Sequence, residues 1–201
     1  MDTVTIIETG LANIASVECA FRRLGARVAR TTDPDVVRHA ERVVLPGVGA
    51  FGAAAPMLHR SGLAETLRER IGSDRPTLAI CLGFQLLAEG SDESPGVRGL
   101  GCIEGRVVRI PDGQLVPQLG WNRVEFTAPS GVADGHAYFA NSYCLPTAPS
   151  GWSVARTNYG VSMVSAIQRG AVLGCQFHPE LSGRWGHTLL QTWLSKGGVP
   201  C

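Results

Sequence analysis

The chain has 201 residues, with 18 Lys and Arg against 17 Asp and Glu and a formal net charge of +1. This balance argues against a dedicated nucleic-acid binder or a basic membrane-binding surface, because both need a cationic excess. Hydrophobic residues make up 44% of the chain and charged residues 17%, which permits a sizeable core and argues against general disorder. At this length we expect a single domain over residues 1–201.

The first half of the chain alternates strand-like and helix-like segments. Short β-branched or apolar runs predict strands at 4–7, 27–30, 43–45 and 77–80. Apolar residues at helical spacing predict helices at 14–24, 33–40, 58–71 (one or two helices) and 82–88. The first strand is expected to end at Thr9-Gly10, Gly25 takes a helix C-cap position, and Asp33-Pro34 is an N-cap followed by proline. Such alternation is typical of a parallel sheet covered by helices.

The second half of the chain is richer in strands. Strand-like segments lie at 106–110, 122–126, 137–141, 153–157, 162–167 and 171–177, and Gly, Pro, Asn or Ser turns separate them. One closing helix is predicted at 186–195. Together the halves predict an α/β fold, a three-layer sandwich with a mostly parallel central sheet and an antiparallel extension.

The sequence gives no sign of export, membrane insertion or a metal. No apolar run approaches the ~18 residues of a membrane span, and Met1-Asp2-Thr3 lacks the basic start of a secretory signal, so we expect a cytoplasmic protein. No two cysteines form a C-x-x-C pair, and reduced thiols are expected in that compartment. The cysteines are Cys19, Cys81, Cys102, Cys144, Cys175 and Cys201. We therefore expect neither a metal nor a cofactor.

Cys81 has the sequence setting of a nucleophile on a tight turn. It stands between the predicted strand 77–80 and the predicted helix 82–88, with small residues two positions before and after it, Ala79 and Gly83. Small neighbours let a strand and a helix pack closely beneath an exposed nucleophile. The helix N-terminus favours a thiolate, and its first amide can donate to an oxyanion. The alternative is a buried structural cysteine, which is common in core strands.

His178 is the best candidate for the base that such a nucleophile needs. It follows the predicted strand 171–177 directly, and strand ends are where parallel sheets present functional groups. Pro179 stiffens the turn, so that Glu180 can orient the imidazole. The His-x-Glu spacing also occurs in zinc deaminases, but the downstream P-C-x-x-C that they require is absent.

A glycine-rich segment after the third predicted strand allows two interpretations. Residues 47–52 match G-x-G-x-x-G, the fingerprint of dinucleotide-binding proteins, and Glu65 and Glu69 lie near the position of the expected ribose-binding acid. Against a nucleotide site, the motif follows the third strand rather than the first, and Pro46 breaks the strand before the turn. A lone glycine match is weak evidence for nucleotide binding.

Three segments together resemble a known family. Residues 46–52 (PGVGAFG), 81–85 (CLGFQ) and 177–180 (FHPE) resemble the class I, or triad-type, glutamine amidotransferases. Residues 117–122 (PQLGWN), 138–143 (YFANSY) and 182–183 (SG) are similar, more narrowly, to the glutaminase subunits of imidazole glycerol phosphate synthase. The likeness runs from Ile6 to about Leu194.

The resemblance implies hydrolysis of L-glutamine to glutamate and ammonia. Cys81 would attack the side-chain amide, His178 would act as base and then as acid, and Glu180 would orient the imidazole. The Leu82 N–H and that of Val48 or Gly49 would hold the oxyanion, one such donor being worth on the order of 3 kcal/mol. A flip of a glycine peptide would switch the reaction on. The residues that the family assigns to glutamine binding are Gln85, Asn141, Ser142 and Tyr143.

The resemblance also implies a partner, a (β/α)₈-barrel cyclase that uses the ammonia to form imidazole glycerol phosphate and aminoimidazole carboxamide ribonucleotide in histidine biosynthesis. Trp121 and Tyr138 are interface candidates, since large aromatic residues are favoured anchors. The chain departs from the family pattern with Gln118 and Asn141, where histidine is frequent, and with Leu181, where a basic residue is usual. Gln118 and Leu181 belong to the same predicted interface.

Three alternatives remain open from the sequence. The first is a related amidotransferase that supplies another ammonia acceptor. The second is a stand-alone cysteine hydrolase or peptidase, which would act without a partner and without a preference for glutamine. The third is a nucleotide-binding or scaffolding protein that keeps the fold without its chemistry. The glutaminase of vitamin B6 synthesis fits less well, because residues 47–50 (GVGA) replace its Gly-Gly-Glu-Ser strand.

Overall fold

A computed structural model describes residues 2–8, 14–127 and 131–196. The strands are β1 (Thr3–Ile7), β2 (Arg27–Thr31), β3 (Arg42–Leu45), β4 (Thr77–Ile80), β5 (Gly90–Ser91), β6 (Arg106–Arg109), β7 (Gln118–Phe126), β8 (Gly135–Asn141), β9 (Tyr143–Cys144), β10 (Ser153–Asn158), β11 (Ser162–Arg169) and β12 (Val172–Cys175). The helices are α1 (Ile14–Arg23), α2 (Pro34–His39), α3 (Phe51–Arg60), α4 (Leu63–Gly72), α5 (Leu82–Gln85) and α6 (Gly183–Lys196), with a 3₁₀ turn at Pro179–Leu181. The predicted turn at Thr9-Gly10 and the cysteine at position 201 lie outside the described residues.

The larger sheet confirms the predicted fold class. Its strand order is β2-β1-β3-β4-β12-β11-β10-β7-β8. The block from β2 to β12 is parallel, and from β12 to β8 every neighbouring pair is antiparallel. A smaller sheet of β5, β6 and β9 lies beside it, and two of its strands, β5 and β9, are too short to be predicted from sequence.

Alternating side chains of the parallel strands enter two separate cores, one on each face of the larger sheet. In β3, Val43 and Leu45 join the core covered by α3 and α4, whereas Val44 joins the core covered by α1 and α6. In β4, Ala79 belongs to the first core and Ile80 to the second. Period-two burial of apolar side chains on both faces produces the predicted three layers.

The predicted caps are present, and one predicted helix is too long. Asp33 accepts a hydrogen bond from the Asp35 amide at 2.8 Å and caps α2, and Gly25 follows α1 with φ +82°. The helix predicted at 82–88 ends after Gln85. The carbonyls of residues 86–88 accept from the amides of residues 100–103 instead, so the chain leaves the helical path. Among the described residues, no helix is long and apolar enough to cross a membrane.

Arg70 of α4 is a buried arginine that links α4 to the end of α2 and to the start of β4. Its guanidinium is 1% exposed and donates to the carbonyls of Val37 at 3.0 Å, Ala40 at 2.9 Å and Pro76 at 2.9 Å. Burial and the neighbouring charge of Arg75 lower the pKa of Arg70 to about 10, so the group still carries its charge at neutral pH. These charge-assisted hydrogen bonds, with a fourth to the Arg38 carbonyl at 3.3 Å, fix the end of α2 and the start of β4.

Replacing Arg70 by Met is expected to destabilise the protein by about 3 kcal/mol, because the carbonyls of Val37, Ala40 and Pro76 lose a buried, charged donor. Urea denaturation followed by circular dichroism measures the change. The control is Arg22→Met, since Arg22 is 64% exposed and lies 3.9 Å from Glu18, which is bound more closely by Arg30 at 2.6 Å. The loss of this exposed arginine is expected to cost about 0.5 kcal/mol or less. Equal midpoints for the two variants would contradict this role of Arg70.

Candidate active site

Cys81 lies on a strained turn at the carboxyl end of β4, between β3 and β12 in the parallel block. Its backbone has φ 53° and ψ −110°, a conformation that L-residues adopt at a cost. The Cys81 amide donates to the Cys175 carbonyl at 2.7 Å, which ties the turn to β12. The side chain is 7% exposed, and its sulfur lies 4.0 Å from the Ala140 carbonyl oxygen in β8.

Close backbone packing explains the small residues around the turn. A Cβ atom on Gly83 would lie 2.1 Å from the Leu45 carbonyl oxygen of β3. A Cβ atom on Gly47 would lie 2.6 Å from the Gly83 nitrogen and 2.7 Å from the Leu82 Cβ. The segment after β3 therefore passes directly over the turn that carries Cys81, and only glycine fits at these two contacts. Close packing therefore accounts for Gly47, the first glycine of the G-x-G-x-x-G match.

His178 and Glu180 are brought together as the sequence predicts. His178 follows β12, and its amide donates to the Tyr138 carbonyl at 2.9 Å. The 3₁₀ turn then places Glu180 Oε1 2.8 Å from His178 Nδ1, with side-chain exposures of 8% for His178 and 5% for Glu180. A carboxylate at Nδ1 leaves Nε2 as the nitrogen that can exchange a proton with a reacting group.

Ser182 supports this arrangement, and sequence reasoning assigned it no such role. Its hydroxyl donates to the His178 carbonyl at 2.6 Å and accepts from the Tyr138 amide at 3.0 Å. The residue is 1% exposed. Its position two residues after Glu180 was visible in the sequence, but the contact with β8 depends on the tertiary fold.

The imidazole of His178 interacts with both Cys81 and Glu180. Burial lowers the pKa of His178, but hydrogen bonds to Cys81 and Glu180 outweigh burial and raise that pKa to about 10 from an ordinary value of 6.5. At neutral pH the imidazole is therefore protonated. His178 is thus held by a hydrogen bond to Glu180 and interacts electrostatically with Cys81.

The titration of His178 is a direct check on these interactions. In nitrogen-15 NMR spectra of the intact protein, His178 is expected to titrate with a pKa near 10. Cys81→Ala and Glu180→Gln each remove a hydrogen bond that favours the imidazolium, so each variant should lower the pKa of His178. Cys102→Ala, a change remote from the imidazole, is the control. A pKa near 6.5 in the unaltered protein would contradict the geometry.

The predicted oxyanion donors are not assembled in this conformation. The Leu82 amide donates to the Gly47 carbonyl at 3.3 Å, so it is engaged with the segment that passes over the turn. Gly49 has φ +103°, and Val48 is 38% exposed. In this conformation the Gly47 carbonyl therefore occupies the Leu82 N–H.

Three of the predicted glutamine-binding residues meet at the Tyr143 carbonyl. Gln85 Nε2 and Asn141 Nδ2 each donate to this oxygen at 3.0 Å. Gln85 is 6% exposed and Asn141 is 5% exposed, and Asn141 Oδ1 is buried with no hydrogen-bond partner. Ser142, which stands between Asn141 and Tyr143 in the chain, is half-buried, and its carbonyl accepts a hydrogen bond from the Ile110 amide at 2.9 Å.

A cleft of about 200 Å³ opens beside the imidazole. The residues that line it include His178, Glu180, Tyr138, Val48 and Leu181. This side of the site faces an exposed apolar surface, in which Trp121 is 58% exposed and Leu181 is 43% exposed. Trp121 and Tyr138 stack edge to face with ring centroids 6.4 Å apart.

Gln118 does not lie on that surface. The sequence placed it among interface residues, but its side chain is 2% exposed and its Oε1 and Nε2 atoms are buried without hydrogen-bond partners. The strand β7 begins at Gln118, four residues before the strand predicted at 122, and pairs Gln118 with Asn141 of β8. Pairing in this register turns the amide inward, so a direct contact with a docked protein is excluded in this conformation.

The other described cysteines lack the setting of Cys81. Burial raises the pKa of Cys102 and of Cys144 to about 11 and raises that of Cys175 further. All the cysteines within the described ranges have free thiols. In the same ranges, His, Cys, Asp and Glu side chains form no group of three that could hold a metal ion.

Comparison with known proteins identifies the family of the chain. Residues 5–196 match the family model described as glutamine amidotransferase class-I. The chain belongs to the class I glutamine amidotransferase family. A relative from Methanothermobacter thermautotrophicus, named imidazole glycerol phosphate synthase subunit HisH, is 44% identical over 195 residues, covering 95% of this chain and 97% of the relative. A HisH subunit from Haemophilus influenzae is 43% identical over 202 residues, with 98% of each chain covered.

Two further comparisons concern fused and structurally similar proteins. The Arabidopsis thaliana imidazole glycerol phosphate synthase hisHF, chloroplastic, is 41% identical over 199 residues, which cover 95% of this chain and 34% of that protein. A crystal structure of a glutamine amidotransferase superposes with a TM-score of 0.80 at 21% identity, covering 98% of this chain and 99% of that one. At that identity the superposition shows the shared fold alone.

Proposed function

We propose that this chain is the glutaminase subunit of an imidazole glycerol phosphate synthase and acts in histidine biosynthesis. The observation that carries the proposal is the buried His178–Glu180 pair beside Cys81 on its strained turn. Full-length relatives that are named HisH support the choice of this enzyme within the family. We further propose that the chain forms one domain and works in the cytoplasm, where free thiols persist.

The first half of the reaction forms a thioester. The Cys81 sulfur attacks the δ-carbon of glutamine, and the carbonyl π electrons move onto oxygen. The imidazolium of His178 then gives its Nε2 proton to the amide nitrogen, and the C–N bond breaks to release ammonia. Glu180 stabilises the imidazolium before this transfer and keeps Nε2 directed at the reacting atoms.

The second half restores the enzyme. Water attacks the thioester carbon while neutral His178 takes its proton. The C–S bond then breaks, glutamate leaves, and the sulfur anion and imidazolium are regenerated. The two halves consume one glutamine and one water and release one glutamate and one ammonia, with no other reactant.

The oxyanion of both tetrahedral intermediates needs donors that this conformation withholds. We propose that the peptide after Gly47 rotates, so that the Leu82 N–H is released and an N–H of Val48 or Gly49 turns toward the substrate oxygen. Glycine at position 49 permits this because it tolerates both signs of φ. Two such donors account for on the order of 5 kcal/mol of barrier lowering.

Ammonia needs a protected route, because the ammonium ion formed in water is not a nucleophile. We propose that a (β/α)₈-barrel cyclase docks on the exposed surface that contains Trp121 and Leu181 and adjoins Tyr138. Val48 lies at the edge of the same cleft, so docking can act on the peptide that must rotate. Asn141, Ser142, Tyr143 and Gln85 are proposed to bind glutamine on the other side of Cys81.

The test is release of glutamate from glutamine by the purified chain, alone and with a cyclase subunit of imidazole glycerol phosphate synthase and its nucleotide ligand. We expect slow release alone and a rate at least about 100-fold higher in the complete mixture, because a rotated peptide adds oxyanion donors. A chain that stays inactive in every mixture would overturn the proposal. Rapid hydrolysis of peptides or esters without a partner would favour the stand-alone cysteine hydrolase.

One observation favours a second candidate function, in which the ammonia goes to a different acceptor. Leu181 is exposed at the rim of the cleft, at the position where the family resemblance implies a basic residue, so this part of the proposed docking surface is apolar. A related amidotransferase with a different ammonia acceptor would hydrolyse glutamine through the same residues but would not respond to the cyclase. Glutamate release that the cyclase leaves unchanged therefore points to this alternative.

A further inference from the structure

Gln176 is buried between the candidate nucleophile and the candidate glutamine-binding residues. It follows β12, two residues before His178, and is 0% exposed. Its backbone amide donates to the Ser165 carbonyl of β11 at 2.8 Å, which fixes where the side chain starts. The side-chain nitrogen lies 3.9 Å from the Cys81 sulfur, and the side-chain oxygen lies 3.0 Å from Gln85 Nε2.

A backbone carbonyl determines the orientation of both amides. The Tyr143 carbonyl can only accept, so the Gln85 atom 3.0 Å from it must be the NH₂ group. The same NH₂ group is 3.0 Å from Gln176, so the atom of Gln176 that faces it must be the acceptor oxygen. The Gln176 NH₂ group is then the one directed at the Cys81 sulfur.

We propose that Gln176 is a positioning residue that directs an N–H donor at the Cys81 sulfur and links this sulfur to the glutamine-binding residues. A donor favours a negatively charged sulfur over a neutral thiol, because hydrogen bonds to charged acceptors are the stronger ones. The link runs from the Tyr143 carbonyl through Gln85 and Gln176 to Cys81. Gln85, Gln176 and Cys81 are buried, and the low local polarity strengthens the bonds between them and makes a missing partner costly.

The expected effect of Gln176 on glutamine turnover rests on the proposed function. The expected effect on the reactivity of the Cys81 sulfur does not. The reactivity of the Cys81 sulfur toward iodoacetamide needs no glutamine and no partner. Failure of the proposed function would appear as missing glutamate release, and failure of the Gln176 role would appear as unchanged alkylation. The two failures are therefore distinguishable.

Two variants separate the bond to sulfur from the bond to Gln85. Gln176→Glu is nearly isosteric, keeps an oxygen acceptor for Gln85, and removes the N–H donor that faces Cys81. Gln176→Met fills a similar volume and removes both bonds. The matched controls are Gln168→Glu and Gln168→Met, in the neighbouring strand β11, where the Gln168 side chain donates to the Gly170 carbonyl at an exposed position.

Alkylation of Cys81 at pH 7, followed by peptide mass spectrometry, is expected to slow roughly tenfold in both Gln176 variants, because a charge-assisted hydrogen bond is lost. Both variants should lower kcat for glutamine by a similar factor. Only Gln176→Met should also raise KM, since it alone frees Gln85. The Gln168 controls should alkylate within about twofold of the unaltered protein, as surface changes do.

Either Gln176 variant that unfolds cooperatively and alkylates within twofold of its Gln168 control would overturn the proposal. The unaltered protein gives a second measurement that does not depend on how a variant folds. In its nitrogen-15 spectrum, the Gln176 side-chain NH₂ resonances should exchange slowly with solvent and shift when pH changes the charge of His178, which interacts with the Cys81 sulfur. Resonances of Gln176 that exchange rapidly, or that ignore this titration, would equally overturn it.

Discussion

Replacing Cys81 by serine is expected to reduce glutamine hydrolysis by about 10⁴-fold or more. A hydroxyl is a far weaker nucleophile than a thiolate, and the site holds no base strong enough to deprotonate the hydroxyl before it attacks. The circular dichroism spectrum should not change, since serine occupies the same turn with nearly the same volume. Ammonia release measured with and without the cyclase subunit gives the effect on both rates.

The control for this substitution is Cys102→Ser. Cys102 is half-buried, burial raises the pKa of its thiol to about 11, and it belongs to the edge of the core away from His178. Its replacement should leave hydrolysis within about twofold of the unaltered chain, as expected for a thiol without a catalytic role. A Cys81→Ser variant with comparable activity would exclude this sulfur from the chemistry.

Gly83→Ala should be among the most destabilising single substitutions, by about 3 kcal/mol or more, because a methyl group would be forced into a packed backbone contact. The added Cβ would lie 2.1 Å from the Leu45 carbonyl oxygen, and neither backbone can move without separating β3 from α5. The same displacement would move Cys81 away from His178. Loss of glutamine hydrolysis should therefore accompany the lower midpoint in urea.

Gly72→Ala is the matched control. Gly72 ends α4, and a Cβ atom there would meet nothing within 4 Å. This substitution should leave stability unchanged or raise it by up to about 1 kcal/mol, since alanine has the higher helix propensity. A Gly83→Ala variant as stable as Gly72→Ala would contradict the close contact between β3 and α5 at Gly83.

The parallel half of the fold was predictable because its signals are local. Asp33, Gly25 and the β-branched runs each act on neighbouring residues, and the structure has the elements that they predict. The limits of α5 and β7 were not predictable in the same way. Hydrogen bonds from residues 100–103 end α5, and pairing with β8 extends β7 back to Gln118, so both limits depend on distant segments.

The residues of the candidate site likewise divide into those that local motifs predict and those that depend on contacts between distant segments. Cys81, His178 and Glu180 are found in short motifs, since a turn needs small neighbours and a histidine needs a nearby carboxylate. The Gln118 side chain points inward because of the register in which β7 pairs with β8. The sequence does not specify that register, because it does not show where β7 begins. Gln176 stands in the same motif as His178, yet its contacts with Cys81 and Gln85 join residues about 90 positions apart.

Trapping the covalent intermediate tests the central claim most directly. The chain, its cyclase partner and glutamine labelled with carbon-13 are mixed, quenched in acid within milliseconds and digested for mass spectrometry. We expect the peptide that contains Cys81 to carry one labelled γ-glutamyl group, which hydroxylamine removes, and we expect no such label in His178→Asn. Ammonia release at full rate with the Cys81 peptide unlabelled throughout would contradict the account.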